Sequence, residues 1–341
     1  MSQFLPLLET ALPRIQSPVA LVLGAPRLAA QLAERINQPG TICYQMDLFQ
    51  AERLKEELAE LKAQADVRAA PDLWDLPAEF QTVVFPSPPR AERDLKIDMV
   101  EQAYHILKPN GTFLVLSPVD HDPFYPKLVK KLFGKASTTA TPEGTIVWAH
   151  RHEDHPRRRH EVMVQARVDE GEPLRFLTRP GVFTYGQLDL GSRALLAAAE
   201  INPGDRILDL GCGAGAVGVA AARRAGPSGH VTFVDSNLRA LALSEANARA
   251  AGMTNFDAAA AARVEGLQAN SYDLVLTNPP YYAQQSIAQL FIERSKQLLK
   301  SGGRFYLVTK QVDQVEPLVR EAFGEPELYE NRGYVIMVAR K

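Results

Sequence analysis

A glycine-rich turn headed by an acidic residue carries the first candidate chemistry of this sequence. Between a short apolar run and a helical pattern, the chain reads Asp209-Leu-Gly211-Cys212-Gly213-Ala-Gly215. Glycines let a backbone turn tightly and approach a ligand closely at the edge where the strands of such sheets end. Asp235 ends the next apolar run, where it can accept hydrogen bonds from ribose hydroxyls. The pattern predicts a site for an adenosine-containing ligand.

The identity of that ligand depends on Asp209. Gly213, Gly215 and Gly218 also fit the dinucleotide fingerprint G-x-G-x-x-G, and Asp235 follows 17 positions later (235 minus 218). A carboxylate just before the turn would repel the pyrophosphate of NAD, but it would attract the cationic amino-acid end of S-adenosylmethionine. The motif therefore favours a methyl donor over a dinucleotide, and a purely structural turn is a third interpretation.

A second motif, Asn278-Pro279-Pro280-Tyr281, follows the predicted strand 273–277 at the same edge of the sheet. The prolines fix the backbone and leave carbonyl oxygens free to accept hydrogen bonds. The amine of guanine, adenine or glutamine is a poor nucleophile because its lone pair is delocalised. Acceptance of its N–H groups by the Asn278 side chain and the Pro279 carbonyl would direct that lone pair at a donor methyl. Tyr281 can stack on a planar substrate, so the motif predicts amine methylation, with a stiff turn as the alternative.

The elements that position these motifs occur twice along the chain. Three segments of the first half recur in the same order in the second half, at offsets of 191, 192 and 190: 82–89 and 273–280, 105–116 and 297–308, 145–151 and 335–341. In each copy, short β-branched runs alternate with helical patterns, which is typical of a doubly wound, mostly parallel sheet. The sequence therefore predicts an α/β protein with two tandem Rossmann-like domains.

The predicted boundary between the copies is the polar segment 151–160, which has no apolar period. Residues 1–150 form the first predicted domain and residues 161–341 the second. In the second copy we predict strands at 206–210, 230–234, 272–277 and 304–309, with helices at 215–225 and 238–251.

With both motifs in this order, the second copy resembles the class I S-adenosylmethionine-dependent methyltransferases. The upstream segment 180–196, with Phe183 and Leu188-Asp-Leu-Gly-Ser192, resembles bacterial ribosomal RNA small-subunit guanine-N2 methyltransferases. That family is also a tandem duplication with a degenerate first copy. The resemblance implies catalytic Asn278, Pro279, Pro280 and Tyr281. It also implies a cofactor pocket formed by Phe183, Asp209, Gly211, Gly213, Asp235 and Asn278. We add to the predicted pocket their neighbours Cys212, Gly215 and Ser236.

The resemblance implies transfer of a methyl group from S-adenosylmethionine to the N2 amine of a guanine in ribosomal RNA. Three alternatives stay open: methylation of adenine N6, methylation of a protein glutamine, and a nucleotide-dependent oxidoreductase or non-catalytic binding module that uses the glycine turn. A glutamine methyltransferase usually carries a helical N-terminal domain, whereas the first half of this chain is rich in strand patterns.

The first copy lacks the residues that such chemistry needs. Alignment of Leu23-Gly24 with Leu210-Gly211 puts Val22 at the position of Asp209, while Pro26 and Leu28 replace glycines. Ser87 stands at the position of Asn278. We therefore expect a degenerate domain that serves as a docking surface.

Charge supports RNA docking only locally. The 341 residues contain 38 Lys and Arg against 40 Asp and Glu, a net charge of -2, whereas residues 127–160 hold eight basic and three acidic residues with four histidines. Such a segment can contact phosphates, although a solvated linker would have the same composition. Ribosomal RNA or a ribosomal subunit is thus the predicted partner. No metal site is expected, because the histidines lack a ligand pattern.

Two unrelated cysteines fit a reducing compartment, and no apolar run is long enough to span a membrane. We expect a cytoplasmic protein, monomeric, with its two copies related as an internal pseudo-dimer.

Overall fold

The computed structural model describes residues 3–76, 79–87, 92–168, 172–280 and 285–341. The chain consists of two compact units, Met1–His160 and Glu161–Lys341. The division falls at the end of the polar segment predicted as a linker. No helix among the described residues is both long and apolar enough to cross a membrane.

The first unit contains five helices and seven strands within its described residues, together with short 3₁₀ turns at Leu12–Arg14 and Leu73–Asp75. In chain order they are α1 (Phe4–Ala11), β1 (Val19–Val22), α2 (Pro26–Ile36), β2 (Ile42–Gln45), α3 (Leu48–Leu61), β3 (Asp66–Ala69), β4 (Phe80–Pro86), α4 (Arg93–Ile106), β5 (Leu107–Ser117), α5 (Tyr125–Phe133), β6 (Ser137–Thr141) and β7 (Gly144–His150).

The second unit begins with an additional hairpin and then repeats the same pattern. Its elements are β8 (Val162–Ala166), β9 (Leu174–Thr178), α6 (Leu190–Ala198), β10 (Arg206–Leu210), α7 (Ala216–Ala225), β11 (His230–Asp235), α8 (Leu238–Ala250), β12 (Phe256–Ala260), β13 (Tyr272–Thr277), α9 (Gln285–Leu298), β14 (Leu299–Thr309), α10 (Val312–Phe323), β15 (Glu327–Asn331) and β16 (Tyr334–Arg340).

Both units have the same sheet topology. The strand orders are β3-β2-β1-β4-β5-β7-β6 and β12-β11-β10-β13-β14-β16-β15. The pairs β5–β7 and β7–β6 are antiparallel, as are β14–β16 and β16–β15, and the other pairs in these two sheets are parallel. Strand order reverses between β10 and β13, which creates the crevice where doubly wound sheets bind ligands. The predicted α/β class with tandem Rossmann-like units is confirmed.

Apolar strands flanked by helices explain the layers. Ile207, Leu208, Leu274 and Val275 on the central strands of the second sheet are all fully buried. Strands buried on both faces need helices on both sides, and separate apolar clusters fill the two faces of each sheet. The central strands are therefore rigid supports for the loops at their carboxyl ends.

The strand registers correct one detail of the internal alignment. Phe80 pairs with Leu107 as Tyr272 pairs with Leu299, so β4 and β13 correspond at an offset of 192 (272 minus 80). Pro86, rather than Ser87, is then the counterpart of Asn278.

The same shift applies to the first strand. Leu21 pairs with Val84 where Asp209 pairs with Leu276, which lies 192 positions after Val84. Leu21, rather than Val22, is thus the counterpart of Asp209. The sequence alignment misplaced both positions by one residue because it carried no information on strand pairing. Neither replacement carries a polar side chain.

Candidate active site

A cleft in the second unit opens at the carboxyl ends of β10 and β13. The space between its walls is about 500 Å³, part of which is open to solvent. Its walls are formed by β9, the segment before α6, the glycine turn and the end of β13. The lining residues are Phe176, Thr178, Phe183, Thr184, Gln187, Leu188, Ser192, Leu195, Asp209, Gly211, Cys212, Gly213, Ala214, Ala216, Val217 and Asn278.

The glycine turn needs its glycines for backbone conformation. Gly211 and Gly213 have φ values of 74° and 53°, in the left-handed region that residues with a Cβ rarely adopt. The Gly211 and Cys212 N–H groups donate to the Val234 carbonyl at 2.8 and 3.0 Å, which fixes the turn against β11. The backbone of the turn is thereby exposed to the cleft without a side chain in the way.

Asp209 is a buried carboxylate at the base of the cleft, only 3% exposed. Its Oδ2 accepts a hydrogen bond from the Gly218 N–H at 2.7 Å. Burial raises the pKa of Asp209 to about 7; the Gly218 hydrogen bond opposes this shift and the charge of Asp235 adds to it. Within the described residues no Lys, Arg or His forms an ion pair with Asp209, so the site can accept a cation from a ligand.

Asp235 ties the glycine turn to the next loop. Its Oδ2 accepts from the Gly213 N–H and its Oδ1 from the Asn237 N–H, each at 2.9 Å. The predicted interaction with ribose is not tested by these contacts. They do add a function that the sequence did not predict, because the carboxylate holds the backbone of the turn in place.

The segment that carries Phe183 is anchored by α8. Arg239, which is fully buried, donates to the Pro180 carbonyl at 2.6 Å, and the Asn237 side chain donates to the Gly181 carbonyl at 2.9 Å. Phe183 itself is 48% exposed although it lines the cleft. An apolar ring at the rim is therefore available to a planar ligand.

Asn278 lies opposite the glycine turn, at the end of β13. Its side-chain Nδ2 donates to Asp189 Oδ2 at 2.8 Å and to Ser192 Oγ at 3.2 Å. Asp189 in turn caps α6 by accepting from the Ser192 N–H at 2.9 Å. The amide is thereby held between two elements of the unit.

Six of the predicted site residues line the cleft: Phe183, Asp209, Gly211, Cys212, Gly213 and Asn278. Gly215 instead permits close packing, because a Cβ there would lie 2.7 Å from Ser244 Cβ. Ser236 lies in the turn after β11, Pro279 is buried and Pro280 is exposed. Tyr281 lies outside the described residues. Burial raises the pKa of the Cys212 thiol, to which the charges of Asp235 and Asp209 add, so the thiol stays protonated and is a poor nucleophile.

Two polar residues beside Asn278 were absent from the predicted site, and one of them, Ser192, lines the cleft. Asp189 and Ser192 contact Asn278 across 89 and 86 residues of chain. The sequence signal was a helix-capping pattern, an acidic residue three positions before Ser192 at the start of an apolar helix. That pattern predicts the cap, but it does not predict which strand end the cap will meet.

Comparison with known proteins agrees with this geometry. Residues 173–338 match the family described as Methyltransferase small domain. The second unit is thus a methyltransferase-type domain, the class that its motifs predicted.

Among individual proteins, the chain is similar to Ribosomal RNA small subunit methyltransferase C from several bacteria. It is 32% identical to that of Pseudomonas entomophila over 165 residues, which cover 47% of this chain and 48% of the relative. It is 32% identical over 184 residues to that of Pseudomonas syringae pv. syringae, covering 52% and 54%. The chain thus matches about half the length of these relatives.

Among solved structures, a T. thermophilus 16S rRNA N2 methyltransferase in complex with AdoMet and guanosine has a TM-score of 0.76. The superposition covers 98% of this chain and 92% of that one at 20% sequence identity. Both units therefore share the fold of that protein.

Proposed function

We propose that this protein transfers a methyl group from S-adenosylmethionine to the exocyclic N2 amine of a guanine in ribosomal RNA. The observation that carries the proposal is the placement of Asn278 on the wall of a cleft that also contains the glycine turn and Asp209. Such a cleft brings an amine-binding amide and a candidate donor site within one cavity. We expect the protein to act as a monomer in the cytoplasm.

The residues of the cleft fit S-adenosylmethionine. Asp209 is buried without an ion-pair partner in the described chain, and the donor has a cationic amino-acid end to neutralise it. The glycine turn offers its backbone, while Phe183 offers an apolar face. When bound, this donor supplies a methyl group activated by its positively charged sulfur.

Asn278 supplies the other half of the mechanism. Its carbonyl oxygen would accept an N–H of the target amine, which orients the nitrogen lone pair and stabilises positive charge as it develops there. A second acceptor is the Pro279 carbonyl, and Tyr281 would stack on the base. The chain then needs no strong base, since the methylated amine becomes acidic enough to release its proton to water.

The site geometry alone does not decide which planar amine is the substrate. Adenine N6 and a glutamine amide are also planar amines that Asn278 would accept. The T. thermophilus protein, an N2 methyltransferase of 16S rRNA in complex with guanosine, favours guanine over adenine. The relatives named for small-subunit ribosomal RNA favour RNA over a protein glutamine. Mass spectrometry of ribosomal RNA from a strain that lacks this protein should reveal the loss of one N2-methylguanosine. Loss of N6-methyladenosine from this RNA instead, or loss of a methylglutamine from a digest of the proteins of the same strain, would reassign the substrate.

Replacement of Asn278 by alanine tests the mechanism directly. We expect Asn278→Ala to lower the methyl-transfer rate by about 10²-fold or more with nearly unchanged donor affinity, because one preorganised polar group is removed from the reacting centre. Single-turnover assays and calorimetry separate the two quantities. Ser87→Ala, which removes a buried hydroxyl just after the end of β4 in the first unit, bonded to Tyr125, is the control and should change neither. An Asn278→Ala protein with the normal rate would exclude amine binding by this residue.

We further propose that the first unit docks on RNA through one face of α5 and Lys135, two residues beyond the end of this helix. Lys127, Lys130, Lys131 and Lys135 are all exposed, and none of them forms a hydrogen bond or ion pair within the described chain. By contrast, Lys55 in α3 and Lys62 directly after this helix lie among several glutamates in the sequence. Unneutralised lysines on one helix attract phosphates and release bound counterions on contact.

A pair of lysine substitutions tests this surface. We expect Lys130→Gln with Lys131→Gln to weaken RNA binding about tenfold and to reduce the slope of log affinity against log salt by about 1 to 2. The slope falls because each phosphate contact that is lost reduces the number of counterions released on binding. The matched control is Lys55→Gln with Lys62→Gln in the same unit. Equal affinity of the two double variants would refute docking by α5.

A further inference from the structure

Asp189, which caps α6, contacts the proposed amine-binding residue Asn278 through one carboxylate oxygen. Asp189 Oδ2 accepts both the Ser192 N–H at 2.9 Å and the Asn278 Nδ2–H at 2.8 Å. Ser192, itself 8% exposed, places its Oγ 3.2 Å from the same nitrogen. The start of α6 is therefore joined to the end of β13 by hydrogen bonds to the side chain of one asparagine.

These contacts decide which way the Asn278 amide faces. An amide nitrogen carries two N–H donors, and here both have an acceptor on the α6 side. A rotated amide would set its carbonyl oxygen against the carboxylate of Asp189, which is electrostatically unfavourable. The carbonyl oxygen is consequently held on the side of the amide away from Asp189 and Ser192.

The charge of Asp189 has a second consequence for the amide. A carboxylate that accepts an amide N–H draws the amide towards its charge-separated form and so increases the negative charge on the carbonyl oxygen. Chains of hydrogen bonds polarise one another in this way in a medium of low dielectric. A carbonyl oxygen with this added negative charge binds the target amine more tightly as positive charge develops on the amine nitrogen.

We propose that Asp189 is a positioning residue for methyl transfer, which sets the orientation of the Asn278 amide and strengthens its carbonyl oxygen. Ser192 assists by accepting from the same nitrogen. This inference rests on the proposed function, in which Asn278 binds the target amine. It assigns Asp189 a function beyond the helix cap, and that function acts only through Asn278.

Three variants of the chain with both units present separate positioning from capping. Asp189→Ser keeps a good helix cap but shortens the side chain, so its hydroxyl no longer reaches Asn278. We expect a melting temperature close to that of the unaltered protein, donor affinity and RNA KM within about twofold, and a methyl-transfer rate lowered about tenfold or more. Asp189→Ala should lower both the rate and the melting temperature. Asp189→Asn, whose amide oxygen can accept both hydrogen bonds, should recover much of the rate.

The matched control is Asp47→Ser at the start of α3. Asp47 also caps a helix, accepting from the Gln50 N–H at 2.9 Å, but it lies in the first unit and outside the cleft. This variant should retain the full rate. Asp189→Ser with an unaltered rate, or with a rate that falls only in proportion to lost stability, would overturn the inference.

A double variant distinguishes this inference from the proposed function. If Asp189 acts only through Asn278, then adding Asp189→Ser to Asn278→Ala should slow the reaction no further than Asn278→Ala alone. A further tenfold loss would show that Asp189 acts independently and would reject the positioning role. If Asn278→Ala itself reacts at the normal rate, the proposed function fails first. If Asn278→Ala is slow while Asp189→Ser is not, only the positioning role fails.

Discussion

At the scale of single residues, the protonation of Asp209 makes the stability of the protein depend on pH. Its pKa is raised by burial from 3.8 to about 7, so the folded protein holds this proton more tightly than the unfolded chain does. The stabilisation is fully present below about pH 4 and is lost as pH rises through about 7. When no donor is bound, the titration of Asp209 should therefore lower the free energy of unfolding as pH rises from about 4 to about 7.

Denaturant unfolding at several pH values measures this contribution. Between about pH 4 and 7 we expect the unaltered protein to lose at most about 1.4 kcal/mol per pH unit relative to Asp209→Asn, whose side chain does not titrate. The difference between the two proteins cancels the other titrating groups. Parallel curves for both proteins would show that Asp209 does not titrate in this window.

Donor binding should have the opposite dependence on pH. A cationic ligand binds the ionised carboxylate, so affinity for S-adenosylmethionine should increase as pH rises from about 6 to 8. Calorimetry on Asp209→Asn provides the comparison, and its weaker affinity should be nearly independent of pH.

Residue types predicted much of the cleft, but not the contacts between them. Asp209 and Asn278 were recognisable because Asp209 lies near the end of one strand, Asn278 directly follows another, and each side chain has an evident use. Asp235 was predicted to face ribose, whereas its observed bonds to Gly213 and Asn237 depend on how the turn folds back. Asp189 was not predicted, because its link to Asn278 depends on how α6 packs at the end of the sheet.

At the scale of elements, the packing of α7 against β11 depends on the absence of a side chain at Gly218. A Cβ at this position would lie 2.3 Å from Phe233 Cε1 and 2.9 Å from Asp209 Oδ2. The helix and the strand therefore approach too closely for alanine. The same glycine supplies the N–H that binds Asp209.

Gly218→Ala should destabilise the protein by about 1 to 3 kcal/mol, the usual cost of forcing extra volume into a packed core. Donor binding should weaken as well, since displacement of α7 moves the Gly218 N–H from Asp209. Thermal unfolding and calorimetry measure both effects. Phe233→Leu in the same chain removes the nearest ring and should restore part of the stability. If the double variant is no more stable than Gly218→Ala, the strain does not arise from contact with the Phe233 ring.

Strand patterns predicted elements better than their irregular ends. The strands at Arg206–Leu210 and Tyr272–Thr277 have the bounds that the sequence predicts. By contrast, β14 begins at Leu299 rather than at the predicted position 304. The Ser-Gly-Gly segment resembles a turn, but a register shift between Tyr272 and Leu274 accommodates it within the strand. Such an irregularity depends on the neighbouring strand and has no local signal.

At the scale of the whole molecule, one sheet topology is used twice with different residues at the strand ends. In the first unit, Leu21 stands at the position of Asp209. Gln45 stands at the end of β2 where Asp235 ends β11, and its Nε2 donates to the Gly24 carbonyl at 2.9 Å. An amide that donates to the turn cannot replace a carboxylate that accepts from it. The duplicated fold was predicted from sequence repeats, and because of these exchanges we predict that the first unit has no donor site.

The duplication therefore predicts one S-adenosylmethionine site per chain rather than two. Calorimetry on the full chain should give a stoichiometry of one. Asp235→Ala should weaken that binding by about tenfold or more, because a charged hydrogen-bond acceptor is lost from the glycine turn. It should leave no second site of normal affinity, since the first unit has neither carboxylate. Gln45→Ala, the matched change in the first unit, should alter neither stoichiometry nor affinity. Two donors bound per chain, or a tight site that survives Asp235→Ala, would show that the first unit has kept a donor pocket of its own.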